Sequence, residues 1–204
     1  MSSSEQHPAP RVIDRVTKAI SPWVRVETVT AIMPGASEPE IYHALAQADY
    51  VHVLCLHVSG NLVVVRQYRP ILDQWTVELP GGLRDEGESP ADTARREVEE
   101  ETGLTVKSLI PLMENFADIG RLTNKAFGFF AVVDGKPGSA EIGVEASLVP
   151  CDRIGAMAAD GTLAVPAHIG LLYLAGRHEG VRRICVELGL GEPPWMLIDR
   201  AASP

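Results

Sequence analysis

The sequence predicts an α/β sandwich with a mixed sheet, preceded by a small N-terminal antiparallel β extension. Three observations predict it. Short β-prone runs stand on both sides of helical segments in mixed order, which argues against a doubly wound parallel sheet. Ser59-Gly60-Asn61 is a hairpin turn between two of the strongest runs. One segment, Pro90 to Thr102, carries both a start and a stop signal for a helix.

The elements follow in order. Met1 to Pro10 is polar and contains Ser and Pro, and reads as a disordered tail; it lacks the basic start and apolar middle of a signal peptide. Trp23 to Ile32 alternates apolar and polar residues as a half-buried strand does. After the turn Met33 to Ser37, Ile41 to Leu45 is a second short strand, so residues 11–48 form the β extension. Tyr50 to Val58 and Leu62 to Tyr68 are paired strands, and Gln74 to Leu79 is a short one ending at Pro80-Gly81-Gly82, where helix is excluded. Ser89 is a good N-cap, Pro90 suits the first helical position, and Gly103 is the stop. Strands follow at Val106 to Met113, Ala126 to Val133 and Ala146 to Val149, with a Gly/Pro-bearing loop from Asp134 to Gly143. Ile154 to Ala159 and Ala167 to Ala175 are helical. Residues 49–190 thus read as the main domain, and 191–204, with Pro193, Pro194 and Pro204, as an irregular tail.

Composition narrows the function. An apolar fraction of 46% fills a globular core. The net charge of −9 argues against a nucleic-acid polymer as partner, while a small anionic substrate stays open if Arg and metal gather locally. The three cysteines, Cys55, Cys151 and Cys185, are odd in number and form no CxxC, so they read as buried thiols in a reducing compartment. No stretch approaches the ~18 apolar residues of a membrane span, so a cytoplasmic location is expected.

The chemistry sits on the helix from Pro90. At about 100° per residue, Ala91, Ala94 and Val98 share the core face, and Glu97, Glu100 and Glu101 fall on one strip beside it. Glu99 points elsewhere. Such a strip repels itself by roughly 0.2–0.5 kcal/mol per pair and opposes the helix dipole. A hard divalent cation would offset that cost; a solvated acidic face stabilised by Arg95 and Arg96 is the plainer reading of the strip taken alone.

The flanking residues favour the cation. Gly82, five residues, Glu88, seven residues, then Arg96-Glu97-Val98-Glu99-Glu100-Glu101-Thr102-Gly103-Leu104 resembles the Nudix box at all nine specified positions. The resemblance implies the Nudix α/β/α sandwich and hydrolysis of a diphosphate linked to another group. It implies that Glu97, Glu100 and Glu101 ligate Mg²⁺, or Mn²⁺ in its place, with the Gly81 carbonyl as a further ligand. It also implies that Glu88 and Arg96 form an orienting ion pair, and helical geometry sets Arg96 on the side away from the strip.

Outside the box, Val65 to Arg69, Trp75 and Glu78 to Gly82 are similar to the ADP-ribose and nucleotide-sugar pyrophosphatase branch, whose N-terminal extension builds a homodimer. That resemblance implies that Arg66 and Arg69 contact substrate and that Glu78 is an accessory metal or substrate carboxylate; surface charge and a strand-end ion pair are the alternatives. Trp75 reads as core, with a stacking platform as the alternative. In Asp118 to Lys125 the branch's Pro and acidic positions are Ile119 and Asn124, a departure that leaves the sugar open, while Arg121 and Lys125 still suit a phosphorylated substrate. The branch's base lies on a loop, here Glu141, with Glu145 or a box carboxylate such as Glu100 or Glu101 as the other candidates. Rival activities are hydrolysis of a nucleoside triphosphate or dinucleoside polyphosphate, and non-catalytic binding of ADP-ribose. An isoprenoid-diphosphate isomerase would need a catalytic Cys.

Overall fold

The computed structural model describes residues 8–138 and 141–196. The chain divides into two compact units. Met1 to Pro10, read as a disordered tail, is described only from residue 8, and residues 8–10 are irregular and exposed.

The first unit contains the chain up to Ala48 together with Phe116–Lys125. Its three strands, β1 (Arg11–Ala19), β2 (Arg25–Ile32) and β3 (Glu40–Ala46), form an antiparallel sheet in that order. β1 has no period-2 signature: Val12, Ile13 and Val16 are all exposed, and a register shift lies between Val12 and Asp14. The segment 116–125, placed by sequence within one block at 49–190, clusters here instead. The reason is a tertiary pairing: Leu45 N–H donates to Arg121 O at 2.8 Å, and Thr123 N–H donates to Leu45 O at 3.1 Å.

The second unit is built on β4 (Tyr50–His57), β5 (Asn61–Arg69), β6 (Gln74–Glu78), β7 (Gly81–Leu83), β8 (Thr105–Phe116), β9 (Lys125–Asp134) and β10 (Val144–Pro150). The sheet runs β10-β5-β4-β9-β8, with β6 on β5 and β7 on β4. β4 and β9 are parallel, whereas β4–β7, β5–β6 and β5–β10 are antiparallel, so the sheet is mixed. Alternation along the strands divides the core in two. Val51, Val53, Cys55, Val63, Phe129 and Ala131 pack with Ala94 and Val98 of α1 (Pro90–Thr102) on one face. Leu54, Leu56, Leu62, Val64 and Phe130 pack on the other face with α2 (Cys151–Ala159), α3 (Pro166–Arg177) and α4 (Glu179–Glu187). The result is a sheet between helical layers.

Besides β1, two more elements escape sequence reasoning. β7 is three residues long and contains two glycines, so no propensity marks it; its pairing of Gly81 with His52 and Gly82 with Val51 defines it. α4 follows α3 directly after His178, whose extended backbone (φ −77°, ψ 123°) separates them. The stretch read as an irregular tail from 191 holds a 3-10 turn, Pro194–Met196, with Trp195 1% exposed and its indole N–H donating to Leu172 O at 3.1 Å. Residues 197–204 lie outside the described residues. All three cysteines are free and buried. Among the described residues, no helix is long and apolar enough to cross a membrane.

Candidate active site

α1 begins at Ser89, whose hydroxyl accepts the Asp92 N–H at 3.2 Å, and Pro90 takes the first helical position. It ends at Gly103, which sits at φ 66° and donates its N–H to Glu99 O at 2.9 Å. Caps fixed at both ends set the rotation of the helix, so Ala94 and Val98 enter the core and the acidic strip meets β7. Glu97 is 9% and Glu101 4% exposed, whereas the Glu100 side chain is half exposed.

The glycines of β7 admit these carboxylates. The Gly81 N–H donates to Glu101 Oε2 at 2.9 Å. A Cβ on Gly82 would lie 2.4 Å from the Glu97 carboxylate, and one on Gly81 would lie 2.1 Å from the Val51 carbonyl. Glycine at 81 is required by the close approach of the Val51 carbonyl, whereas at 82 a Cβ would displace the Glu97 carboxylate from its place.

Burial pushes the Glu101 carboxyl up to about 8, with the charges of Glu97, Glu141 and Glu78 adding to the rise and the Gly81 N–H opposing it. Burial also raises Glu97, against the Arg96 guanidinium, and Glu100 and Glu141 add to the rise. Arg96 is the counter-charge. Its Nε and Nη2 donate to the two oxygens of Glu88, each at 3.1 Å. Its Nη1 donates to Glu97 at 2.8 Å and to Glu100 at 2.9 Å. Helical geometry alone set Arg96 away from the strip, but the long side chain reaches back over it while holding Glu88.

Among the described residues, no three acidic, His or Cys side chains are gathered into a ready metal cage. The cause is visible: Arg96 draws Glu97 and Glu100 to itself, and Glu101 turns to Gly81. The donor set nonetheless suits a hard divalent cation, being all oxygen, partly desolvated and short of positive charge. The Gly81 carbonyl already accepts the Tyr50 hydroxyl at 2.9 Å, leaving it one further lone pair.

The other candidates fall in different places. Arg69 and Glu78 pair with each other, in two hydrogen bonds of 2.7 and 2.6 Å, and the Thr76 hydroxyl donates to Glu78 at 2.6 Å. Burial acts to raise the Glu78 carboxyl, but these partners hold it below its ordinary value. Arg66 donates to Glu145 at 3.1 Å and stacks 4.2 Å from the Trp75 ring centre. Trp75 is therefore not core: it is 44% exposed, with Tyr68 edge-on at 5.7 Å. Glu145 lies in β10 rather than in the loop. Glu141 stands in the loop, close enough for its charge to raise both Glu97 and Glu101. Arg121 belongs to the first unit, where it lines a cavity with Val26, His43, Ala44 and Leu45. Asn124, in the same unit, is 3% exposed, and its amide atoms have no hydrogen-bond partner.

Sequence reasoning missed Tyr50 and a buried histidine pair. His168 Nε2 lies 3.2 Å from His52 Nδ1, and Leu79 N–H donates to His168 Nδ1 at 3.3 Å. The only sequence signal is a polar His52 within an apolar run. Burial lowers His52 to about 4 and His168 to about 3. Both are neutral in the fold but charge in the unfolded chain below its ordinary pKa of 6.5. Stability is thus highest above pH 6.5 and falls as pH drops through 4 toward 3, at about 1.4 kcal/mol per pH unit for each ring that stays neutral in the fold. Denaturant titrations at pH 7 and pH 4.5 should show this loss, and His52→Phe with His168→Leu should flatten it; an equal loss in that variant would assign the acid sensitivity elsewhere.

The NUDIX domain family model matches residues 47–162. The chain belongs to that family. Its relatives include the ADP-ribose pyrophosphatase of Bacillus subtilis, 40% identical over 95 residues, which are 47% of this chain and 50% of that protein. The chain thus matches about half the length of that relative. A second is the CMP-5'-(N-acetyl-N-hydroxy-3-aminopropyl)phosphonate hydrolase of Streptomyces rubellomurinus, 27% identical over 160 residues, 76% of this chain and 77% of that one. Among solved structures, one described as an ADP compounds hydrolase superposes with a TM-score of 0.73 over 92% of this chain and all of its own, at 21% identity, which speaks to the fold. Cys55 is fully buried, and burial pushes its thiol far above the usual range.

Proposed function

We propose that the chain hydrolyses the diphosphate of a nucleoside diphosphate joined to another group, with ADP-ribose or a related nucleotide sugar as the first substrate class, in a Mg²⁺-dependent reaction. The carrying observation is the strip of Glu97, Glu100 and Glu101 set against the glycines of β7 and short of positive charge. These three carboxylates, with the free lone pair of Gly81 O, would hold the cation. When bound, the ion would screen the two phosphoryl groups and acidify a water. Glu141 would take the proton of the attacking water as that water's oxygen bonds to phosphorus. The bridging P–O bond breaks, and two phosphomonoesters leave. Gly82, Glu88, Arg96 and Gly103 keep the element in shape.

Arg66 and Trp75 offer an exposed cation and ring side by side, suited to stacking a nucleoside base. Arg69 and Glu78 brace each other and steady the strand beneath the Pro80 turn. The relatives' printed names support the reading and leave the attached group open, one naming ADP-ribose and the other a CMP-linked phosphonate. Buried free thiols suit a reducing, cytoplasmic setting. Steady-state rates across ADP-ribose, ADP-sugars, UDP-sugars, CMP conjugates and ATP test the class. Trp75→Ala should raise KM about tenfold across nucleoside substrates with little change in kcat, as loss of one stacked ring does. Pyrophosphate release from ATP as the dominant activity would instead favour a triphosphate hydrolase.

Val12, Ile13, Val16, Ile20 and Trp23 are all exposed in the first unit, which suits pairing with a second copy of the chain. Val12→Asp with Val16→Asp should shift the chain from dimer to monomer in light scattering; a monomeric wild type would end the dimer proposal.

A further inference from the structure

The run Pro80-Gly81-Gly82 is held at three backbone atoms. Pro80 O accepts the Val53 N–H at 2.8 Å. Gly81 N–H donates to Glu101 Oε2 at 2.9 Å. Gly81 O accepts the Tyr50 hydroxyl at 2.9 Å, and the carbonyl carries no proton, so the phenol is the donor. The third bond alone comes from an uncharged side chain. The peptide that bears Gly81 O joins two glycines, so no Cβ on either side restrains its rotation. Gly81 is buried, and the Tyr50 hydroxyl both satisfies its carbonyl and sets the direction of that oxygen.

Tyr50 is itself supported from the helical layer on its side of the sheet. It stands two residues from His52 on β4, so the two side chains share a face, with ring centres 4.6 Å apart and planes tilted by 43°. His168 of α3 meets the His52 ring edge-on at 5.0 Å. Leu79 N–H donates to His168 Nδ1 at 3.3 Å, so Nε2 carries the proton and donates it to His52 Nδ1 at 3.2 Å. α3 therefore reaches the turn by two routes. One is direct, at Leu79; the other runs through His52 and Tyr50 to Gly81.

We infer that Tyr50 is a positioning residue for the cation site, fixing the direction in which Gly81 O offers its remaining lone pair. This rests on the reading of Gly81 O as a ligand beside Glu97, Glu100 and Glu101. The same glycine gives its N–H to Glu101, and a Cβ on the next residue would meet the Glu97 carboxylate, so the oxygen is fixed where those carboxylates gather. A hydrogen-bond partner that orients a metal ligand typically changes metal affinity 10- to 100-fold when it is removed.

Tyr50→Phe is the test, because it keeps the ring against His52 and removes only the hydroxyl. Electron paramagnetic resonance of unbound Mn²⁺, titrated against the substrate-free protein, reads the affinity. Tyr50→Phe should weaken Mn²⁺ binding about tenfold. The Mg²⁺ concentration for half-maximal turnover should rise by about the same factor, and excess Mg²⁺ should bring kcat back to within about twofold of wild type. A merely structural hydroxyl would instead lower the melting temperature in EDTA, by about 2–4 °C, and leave both metal readings unchanged. Glu101→Gln is the control and should lose most Mn²⁺ binding. If it does, and Tyr50→Phe binds Mn²⁺ as wild type does or more tightly, the inference falls and the cation reading stands. If Glu101→Gln binds Mn²⁺ as wild type does, the cation reading falls and the inference with it.

Discussion

Glu101→Gln is expected to lower kcat on the order of 10³-fold while leaving the metal-free protein at least as stable as wild type at pH 8. Glu101 is 4% exposed, and burial lifts its carboxyl from 4.5 to about 8. A carboxyl raised in the fold contributes stability below its unfolded pKa and loses it as pH climbs through the folded value. Metal-free wild type should therefore weaken between pH 4.5 and pH 8, by on the order of a few kcal/mol. Gln keeps an acceptor for the Gly81 N–H and carries no charge, so the variant should escape that loss. Thermal melts at pH 5 and pH 8 read the stability arm, and turnover reads the other. A variant that melts earlier than wild type at pH 8, or that turns over normally, contradicts the account of a strained carboxylate kept for a cation.

The second large effect concerns Arg96. Its guanidinium holds Glu88, Glu97, Glu100 and the Leu83 carbonyl at once. Arg96→Ala should destabilise the metal-free chain by about 2 kcal/mol, less than a fully buried pair would cost because the side chain is 28% exposed. The same change frees Glu97 and Glu100 from their competitor. Mg²⁺ should then raise the melting temperature of Arg96→Ala by more than it raises that of wild type, since binding to the folded form alone stabilises it. Calorimetric melts with EDTA and with about 10 mM Mg²⁺, enough to load a weak site, give the comparison. An equal shift in both proteins would mean that Arg96 and the cation do not share those carboxylates.

Some of this was legible in the sequence because it is local. α1 runs from Pro90 to Thr102 as read, since Ser89, Pro90 and Gly103 act within a turn of where they sit. β4, β5 and β9 follow from continuous apolar runs. What the chain hides is tertiary. The His52–His168 bond joins residues 116 apart on a strand and a helix, and no spacing announces it. The Arg69–Glu78 pair depends on β5 and β6 being neighbours, which no spacing along the chain announces. Trp75 is left 44% exposed, with Arg66 from the neighbouring strand stacked on its ring, a placement that depends on which face of β6 is covered. β1 lacks alternation because neither of its faces is buried in the described chain. Segment 116–125 leaves the second unit through backbone bonds to Leu45, which side-chain patterns do not encode.

The most direct measurement is phosphorus NMR of ADP-ribose incubated with the chain and Mg²⁺. The account expects both diphosphate resonances to give way to two phosphomonoester signals, AMP and ribose phosphate, with no conversion in EDTA or by Glu101→Gln. An unchanged diphosphate across the nucleotide-sugar panel, or conversion that persists in EDTA, would contradict it.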